Sequence, residues 1–124
     1  MKARYTRLYT DGSGESHFEE LETQLVPSDF APPSPTLDLS SPIPSQQFAF
    51  LGAPPGWQSD WHVSSSRNMF VVVSGEWEIQ TSDGQVRRFG PNMVLLVEDT
   101  SGKGHRSRVV SNTESLAVAI QLKD

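Results

Sequence analysis

Residues Glu76-Trp77-Glu78-Ile79-Gln80 alternate strictly, with Trp77 and Ile79 on one face and three polar side chains on the other. That period of two is the signature of a half-buried strand. Ser82-Asp83-Gly84-Gln85 follows, and its Asp-Gly pair predicts a tight hairpin because both residues tolerate positive φ. Next come a strand from Val86 to Phe89, a Gly90-Pro91-Asn92 turn and the continuous apolar run Met93 to Val97, which reads as a strand buried on both faces. After a glycine-rich loop from Asp99 to Gly104, two further strands are expected at His105 to Val110 and Leu116 to Leu122. In the latter, Leu116, Val118, Ile120 and Leu122 share one face. Strand patterning starts at Gln46, and short strands so closely spaced predict an all-β sandwich or barrel.

The first half of the chain follows other rules. Eight of the nine prolines lie between Pro27 and Pro55, in a serine-rich stretch. Such a stretch sustains neither a helix nor a central strand. It is expected to wrap the surface as extended chain, held by Phe30, Leu37, Leu39 and Ile43. Ahead of it, Ser16-His17-Phe18-Glu19 reads in two ways. It can be a capping box opening a helix with Phe18, Leu21 and Leu25 on one side, or a strand with Leu21, Thr23 and Leu25 inward; the strand is preferred. With 124 residues and no internal repeat, one domain is expected. It divides into an N-terminal element (1–26), a Pro/Ser-rich wrapping segment (27–55) and a barrel core (56–124).

Composition narrows the chemistry. No cysteine is present, which excludes disulfides, thiolate metal sites and a cysteine nucleophile. No apolar run reaches the length of a membrane span, and the first 30 residues contain no signal-peptide pattern. The expectation is a cytoplasmic protein with no membrane partner. The formal net charge is −5. Six of the residues from Asp11 to Asp29 are acidic and none is basic, whereas most positive charge falls between Arg67 and Arg108. An acidic protein without a basic stripe is not expected to bind nucleic acid. A serine hydrolase is disfavoured because no Gly-x-Ser-x-Gly elbow occurs.

The stretch from Trp57 to Val110 resembles the cupin superfamily, whose members are double-stranded β-helix barrels of the jelly-roll kind. The first motif of that family runs glycine, five residues, His-x-His, three or four residues, glutamate, six residues, glycine. Here five residues separate Gly56 from His62, and Gly75 matches the closing glycine after Phe70-Val71-Val72-Val73-Ser74. The second histidine position holds Ser64, and the glutamate position holds Asn68. In the second motif the proline and glycine positions hold Glu98 and Thr100, and His105 arrives two residues late. The block Glu98 to His105 is similar to that of a group of small bacterial cupins.

The resemblance implies that His62 and His105 point into the barrel, His62 opening the strand that leads to Gly75. Two neutral imidazoles can bind a divalent transition metal if carboxylate or water completes the shell. Alternatively they line a metal-free polar pocket, or act as general acid and base, since imidazole titrates near neutral pH. Glu98 is a candidate carboxylate to orient one ring; Glu98 and Asp99 are both near His105, but only one can face inward on an extended chain. Ser64 and Asn68 are candidate ligand contacts, Trp57 and Trp61 candidate stacking platforms at the mouth, and Lys103 a candidate rim cation for an anionic ligand. Lys103 also reads as a solvated lysine, and His17 as a surface histidine. The functions in view are a small-molecule enzyme (isomerase, lyase or dioxygenase type) and a non-catalytic metabolite-binding or sensing module. A homodimer is also implied, with the Trp77 and Ile79 face as its surface.

Overall fold

The computed structural model describes residues 1–124 and is all β. Eleven strands follow in order: β1 Lys2–Thr10, β2 Ser16–Gln24, β3 Val26–Ser28, β4 Leu37–Leu39, β5 Ser45–Ala53, β6 Asn68–Ser74, β7 Trp77–Thr81, β8 Val86–Phe89, β9 Val94–Val97, β10 His105–Val109 and β11 Ser115–Leu122. Six form one sheet in the order β2-β1-β9-β6-β11-β5, three form a second in the order β10-β7-β8, and β3 and β4 pair alone. No helix is long and apolar enough to cross a membrane.

Both sheets contribute to one core. Leu8, Phe18, Val72, Leu95 and Val97 from the large sheet meet Ile79 and Phe89 from the small one. The two sheets are therefore packed face to face, burying the apolar side of each. The Asp83-Gly84 hairpin and the turn at Asn92 form as their sequences dictate, with φ of 90° at Gly84 and 75° at Asn92. Leu95, Leu96 and Val97 are all buried, in keeping with a strand that is apolar on both sides.

Several expectations are corrected. Residues 16–24 are a strand, but Phe18 faces inward beside Leu8 while Leu21 and Thr23 take the opposite side. A one-residue change of phase moves every side chain to the other face. In β11, Ala117 turns inward, so the face that Leu116, Val118 and Ile120 share is the outer one; Leu122 is buried, and the bulge near it lies in β5 at Gln46. Phe30, Leu37 and Ile43 do not anchor the proline-rich segment, since each is at least half exposed. Part of that segment is instead β5, an edge strand. The face of Trp77 and Ile79 is not an outer surface: Ile79 belongs to the core and Trp77 packs against it. It is the polar face of Glu78 and Gln80 that looks outward.

The segregated charges of the two halves meet in space. Lys103 pairs with Glu15 and Arg87 with Glu20, while Arg88 and Arg108 pair within their own half with Glu78. His17 bridges the β1–β2 turn to the β7–β8 turn, with Nε2 2.6 Å from Asp11 and Nδ1 2.9 Å from Asp83. The hydrogen bond to Asp11 raises the His17 pKa above its usual value; burial opposes this in part, and Asp83 adds to it. In its protonated form the ring donates to both carboxylates at once. The clamp is thus complete below about pH 6.5 and is lost as pH rises through the raised value. Denaturant unfolding at pH 5.5 and pH 8.5 should show wild type losing stability relative to His17→Asn at the higher pH. An equal difference at both values would remove the clamp as a source of stability.

Candidate functional site

Between the two sheets lies a cavity of about 310 Å³, at the small end of the range for small-molecule pockets. Its walls are apolar, with Phe70, Val72, Leu95 and Val97 from the large sheet facing Trp77 and Phe89. The inward alternation of strands explains the composition, because each strand offers every second side chain to the interior. Polar groups enter mainly through His62 and His105.

The two histidines are held together by backbone. His62 N–H donates to His105 O and His105 N–H donates to His62 O, each at 2.9 Å, an isolated antiparallel bridge. Their ring centroids lie 4.5 Å apart. His62 does not open the strand leading to Gly75; it belongs to the loop before β6, which starts at Asn68. The two rings differ in exposure: His62 is exposed at the mouth and His105 is 7 % exposed.

Gly104 permits this approach. Its φ is 74°, and a Cβ there would lie 2.1 Å from the His62 carbonyl oxygen. No side chain fits in that gap, and glycine alone adopts the conformation without strain.

Hydrogen bonding fixes which nitrogen of each neutral ring carries the proton. His62 Nδ1 lies 2.9 Å from the carbonyl oxygen of Asp60, which can only accept, so Nδ1 carries the proton in the neutral ring. His105 Nδ1 lies 2.5 Å from Asp99 Oδ2, and a carboxylate imposes the same tautomer. Each ring therefore keeps an unprotonated Nε2. Asp99 is fully buried, and its Oδ1 has no hydrogen-bond partner. The His105 Nδ1–H is the one hydrogen-bond donor that reaches this carboxylate.

The remaining candidates separate. Trp57 lines the cavity mouth, edge-on to Trp77 at 5.6 Å between centroids. Trp61 is not in the wall; its ring is covered by the Arg106 guanidinium at 5.1 Å. Ser64 and Asn68 bond locally, Ser64 Oγ donating to Ser66 O at 2.5 Å and Asn68 Nδ2 to the same carbonyl at 3.0 Å. Lys103 is drawn to Glu15 Oε2 at 2.6 Å and does not reach over the mouth. Glu98 faces away from His105, with one oxygen 2.6 Å from Arg7 Nε and the other 2.6 Å from Arg67 Nε. Burial pushes its carboxyl up, but the hydrogen bonds from the two arginines outweigh this and hold it below the usual range. Asp99, one residue on, takes the orienting position because β9 alternates. Val97 points in, Glu98 out and Asp99 in. Reading Met93 to Val97 as buried on both sides hides that phase.

The donor set does not fit a metal centre of the usual cupin kind. Two imidazole rings lie 4.5 Å apart, but Ser64 and Asn68 supply no anionic ligand and are occupied elsewhere. No group of three metal-ligating side chains forms.

No family model and no curated protein sequence matches the chain. Solved structures do. The Schizosaccharomyces pombe Cnp3 cupin domain is similar over the whole of this chain and 83 % of its own, with 13 % identity and a TM-score of 0.50. A cupin domain from Bordetella pertussis Tohama I matches 82 % of this chain and 96 % of its own at 16 % identity and a TM-score of 0.48. A cupin superfamily protein from Desulfitobacterium hafniense DCB-2 matches 68 % and 73 % at 16 % identity and 0.49. The chain has the cupin fold, and likeness at this identity speaks to fold alone.

Gly104→Ala should destabilise the protein by about 2 kcal/mol or more, combining left-handed strain with displacement of the His62 backbone. Denaturant unfolding measures this. Gly84→Ala, with open space around its Cβ, carries only the strain and should cost less.

Proposed function

We propose that the protein takes a small organic molecule with an apolar body into the barrel, and that His105, oriented by Asp99, serves as a general base toward it. The observation that carries this reading is the buried Asp99–His105 pair opening onto an apolar cavity. Asp99 keeps the proton on Nδ1, so Nε2 presents its lone pair to the ligand, and the carboxylate stabilises the imidazolium once it forms. The exposed His62 completes the polar end, and its own bare Nε2 accepts a hydrogen bond from a hydroxyl, enol or phenol head. Trp57 at the mouth offers an edge or face to a planar ligand.

The reaction class that suits these groups is proton transfer next to a carbonyl. The carbon–hydrogen bond breaks, its electron pair moves into an enolate, and the proton passes to His105 Nε2. Return of that proton to a different carbon of the same molecule completes an isomerisation, with nothing gained or lost. Among the activities of this fold, an isomerase or lyase therefore fits better than a dioxygenase, whose chemistry needs a metal the donors here do not suit. The cavity walls exclude water and so strengthen the electrostatic partnership of His105 and Asp99.

Acetylacetone in deuterated buffer tests the step, since its central protons exchange by base catalysis and proton NMR follows them. Wild type should accelerate exchange, and His105→Ala should lose about 100-fold or more, within the range for a positioned general base. Asp99→Asn should lose activity while still binding phenol as a probe. Phenol binding with no exchange in wild type would leave a metabolite-binding module in place of a catalyst. Neither binding nor exchange would sink the site.

A further inference from the structure

The two edges of the six-stranded sheet are built differently. At one edge, β2 carries Glu19, Glu20 and Glu22, charges of the kind that keep an edge strand from pairing with another chain. At the other edge, β5 has no such guard. Its nine residues, Ser45 to Ala53, contain no charge and no proline. The uncharged stretch extends from Leu39 to Ser59. Within β5 every residue before Ala53 is exposed, and no strand pairs with its free side.

The free edge is also apolar in a symmetric way. Phe48 and Phe50 flank the strand midpoint, Ala49, and share the outer face of the sheet, 68 % and 71 % exposed. Their rings meet edge to face at 6.4 Å. Across the sheet the same face continues through Ile120 and Val118 on β11, then Met69 and Val71 on β6. All of these are apolar and half-buried, so β6 and β11 carry apolar side chains on both faces, and cover on the outer face falls away at β5, where Phe48 and Phe50 are exposed. Strands of that composition are normally buried on both sides. The two phenylalanine rings alone leave roughly 250 Å² uncovered, a large share of the few hundred Å² that a whole apolar patch reaches on a typical monomer.

We propose that β5 pairs antiparallel with β5 of a second copy of this chain, about a twofold axis through Ala49. In that register Phe48 of one copy stands opposite Phe50 of the other, and the reverse. Such aromatic cross-strand pairs are among the stabilising ones. Ser45 then meets Ala53, and all nine residues find partners. A second copy suits the edge because the Phe-Ala-Phe centre is its own complement, as an isologous contact requires. Charge points the same way. With a net charge of −5, two copies repel over most of their surface, and the uncharged stretch is where they can approach. Any homodimer is thereby moved from the Trp77 and Ile79 face, which is interior, to the β5 edge.

The native chain has no cysteine, so single cysteines report the register directly. Residues directly opposite in an antiparallel pair have Cα atoms about 4.5–5.5 Å apart, within reach of a disulfide. Ala49→Cys should therefore cross-link into a dimer in air, whereas Gln46→Cys should not, its copy lying roughly 20 Å away along the strands. Sedimentation equilibrium of the full chain should give twice the chain mass at micromolar concentration. Phe48→Lys with Phe50→Lys should weaken association at least 100-fold with an unchanged far-ultraviolet spectrum, as both side chains point to solvent in the single chain. A monomer at every concentration would overturn the proposal. So would a dimer indifferent to the two lysines, or cross-linking at Gln46→Cys as fast as at Ala49→Cys.

Discussion

The reciprocal backbone hydrogen bonds between His62 and His105 tie a loop that precedes β6 to the first residue of β10. They close only because Gly104 has no side chain to strike the His62 carbonyl. Once they are made, two imidazoles 4.5 Å apart stand at the mouth of a cavity whose walls are otherwise apolar except for Ser107. The Trp57 ring follows, because the same loop carries it to the edge of Trp77. Further bonds secure the loop along β10, from Ser59 N–H to Ser107 O and from Val109 N–H to Trp57 O. The site is thus a consequence of main-chain pairing, and the histidine side chains inherit their positions from it.

Asp99 gives the arrangement its chemical direction. A carboxylate with no exposure and one unpartnered oxygen costs several kcal/mol to bury unless a positive or proton-donating group compensates. His105 is that group, at 2.5 Å. Glu98, next in the chain, meets the opposite arrangement: two guanidinium groups satisfy both of its oxygens on the outer side of the sheet. Two adjacent acids therefore have unlike partners, one bridging two arginines and the other bound to His105. Strand alternation separates them by face, which no feature of their own chemistry does.

Charge and apolar surface are likewise distributed by the fold. The acidic N-terminal half and the basic stretch after Arg67 form ion pairs across the barrel, Lys103 with Glu15 and Arg87 with Glu20. Most of these pairs are exposed and add little stability individually. Their effect is to leave the stretch from Leu39 to Ser59 as the place where neither sign operates. Apolar strands that face outward end at that stretch, and the edge there lacks the acidic guard of β2.

Much of the architecture was legible in the local pattern. Alternation at Trp77 and Ile79, the Asp83-Gly84 turn and the apolar run before Val97 each became the element that its residues dictate, because side-chain period and turn stereochemistry act over a few neighbours. The spacing from Gly56 to His62 and Gly75 likewise pointed to a barrel with the fold now observed. Phase and partnership were not legible. Whether Phe18 or Leu21 turns inward depends on the register of β1 against β2, and that in turn on which residues Leu8 meets across the core. Lys103 went to Glu15, 88 positions away in the chain, and Asp99, not Glu98, reached His105. By itself the sequence determined which segments are strands and where the chain must turn, since these follow from local sterics and period. Only the tertiary structure decided which acid orients the histidine, which carboxylate engages Lys103 and which edge stays open, because each is settled by long-range packing between residues far apart in the chain.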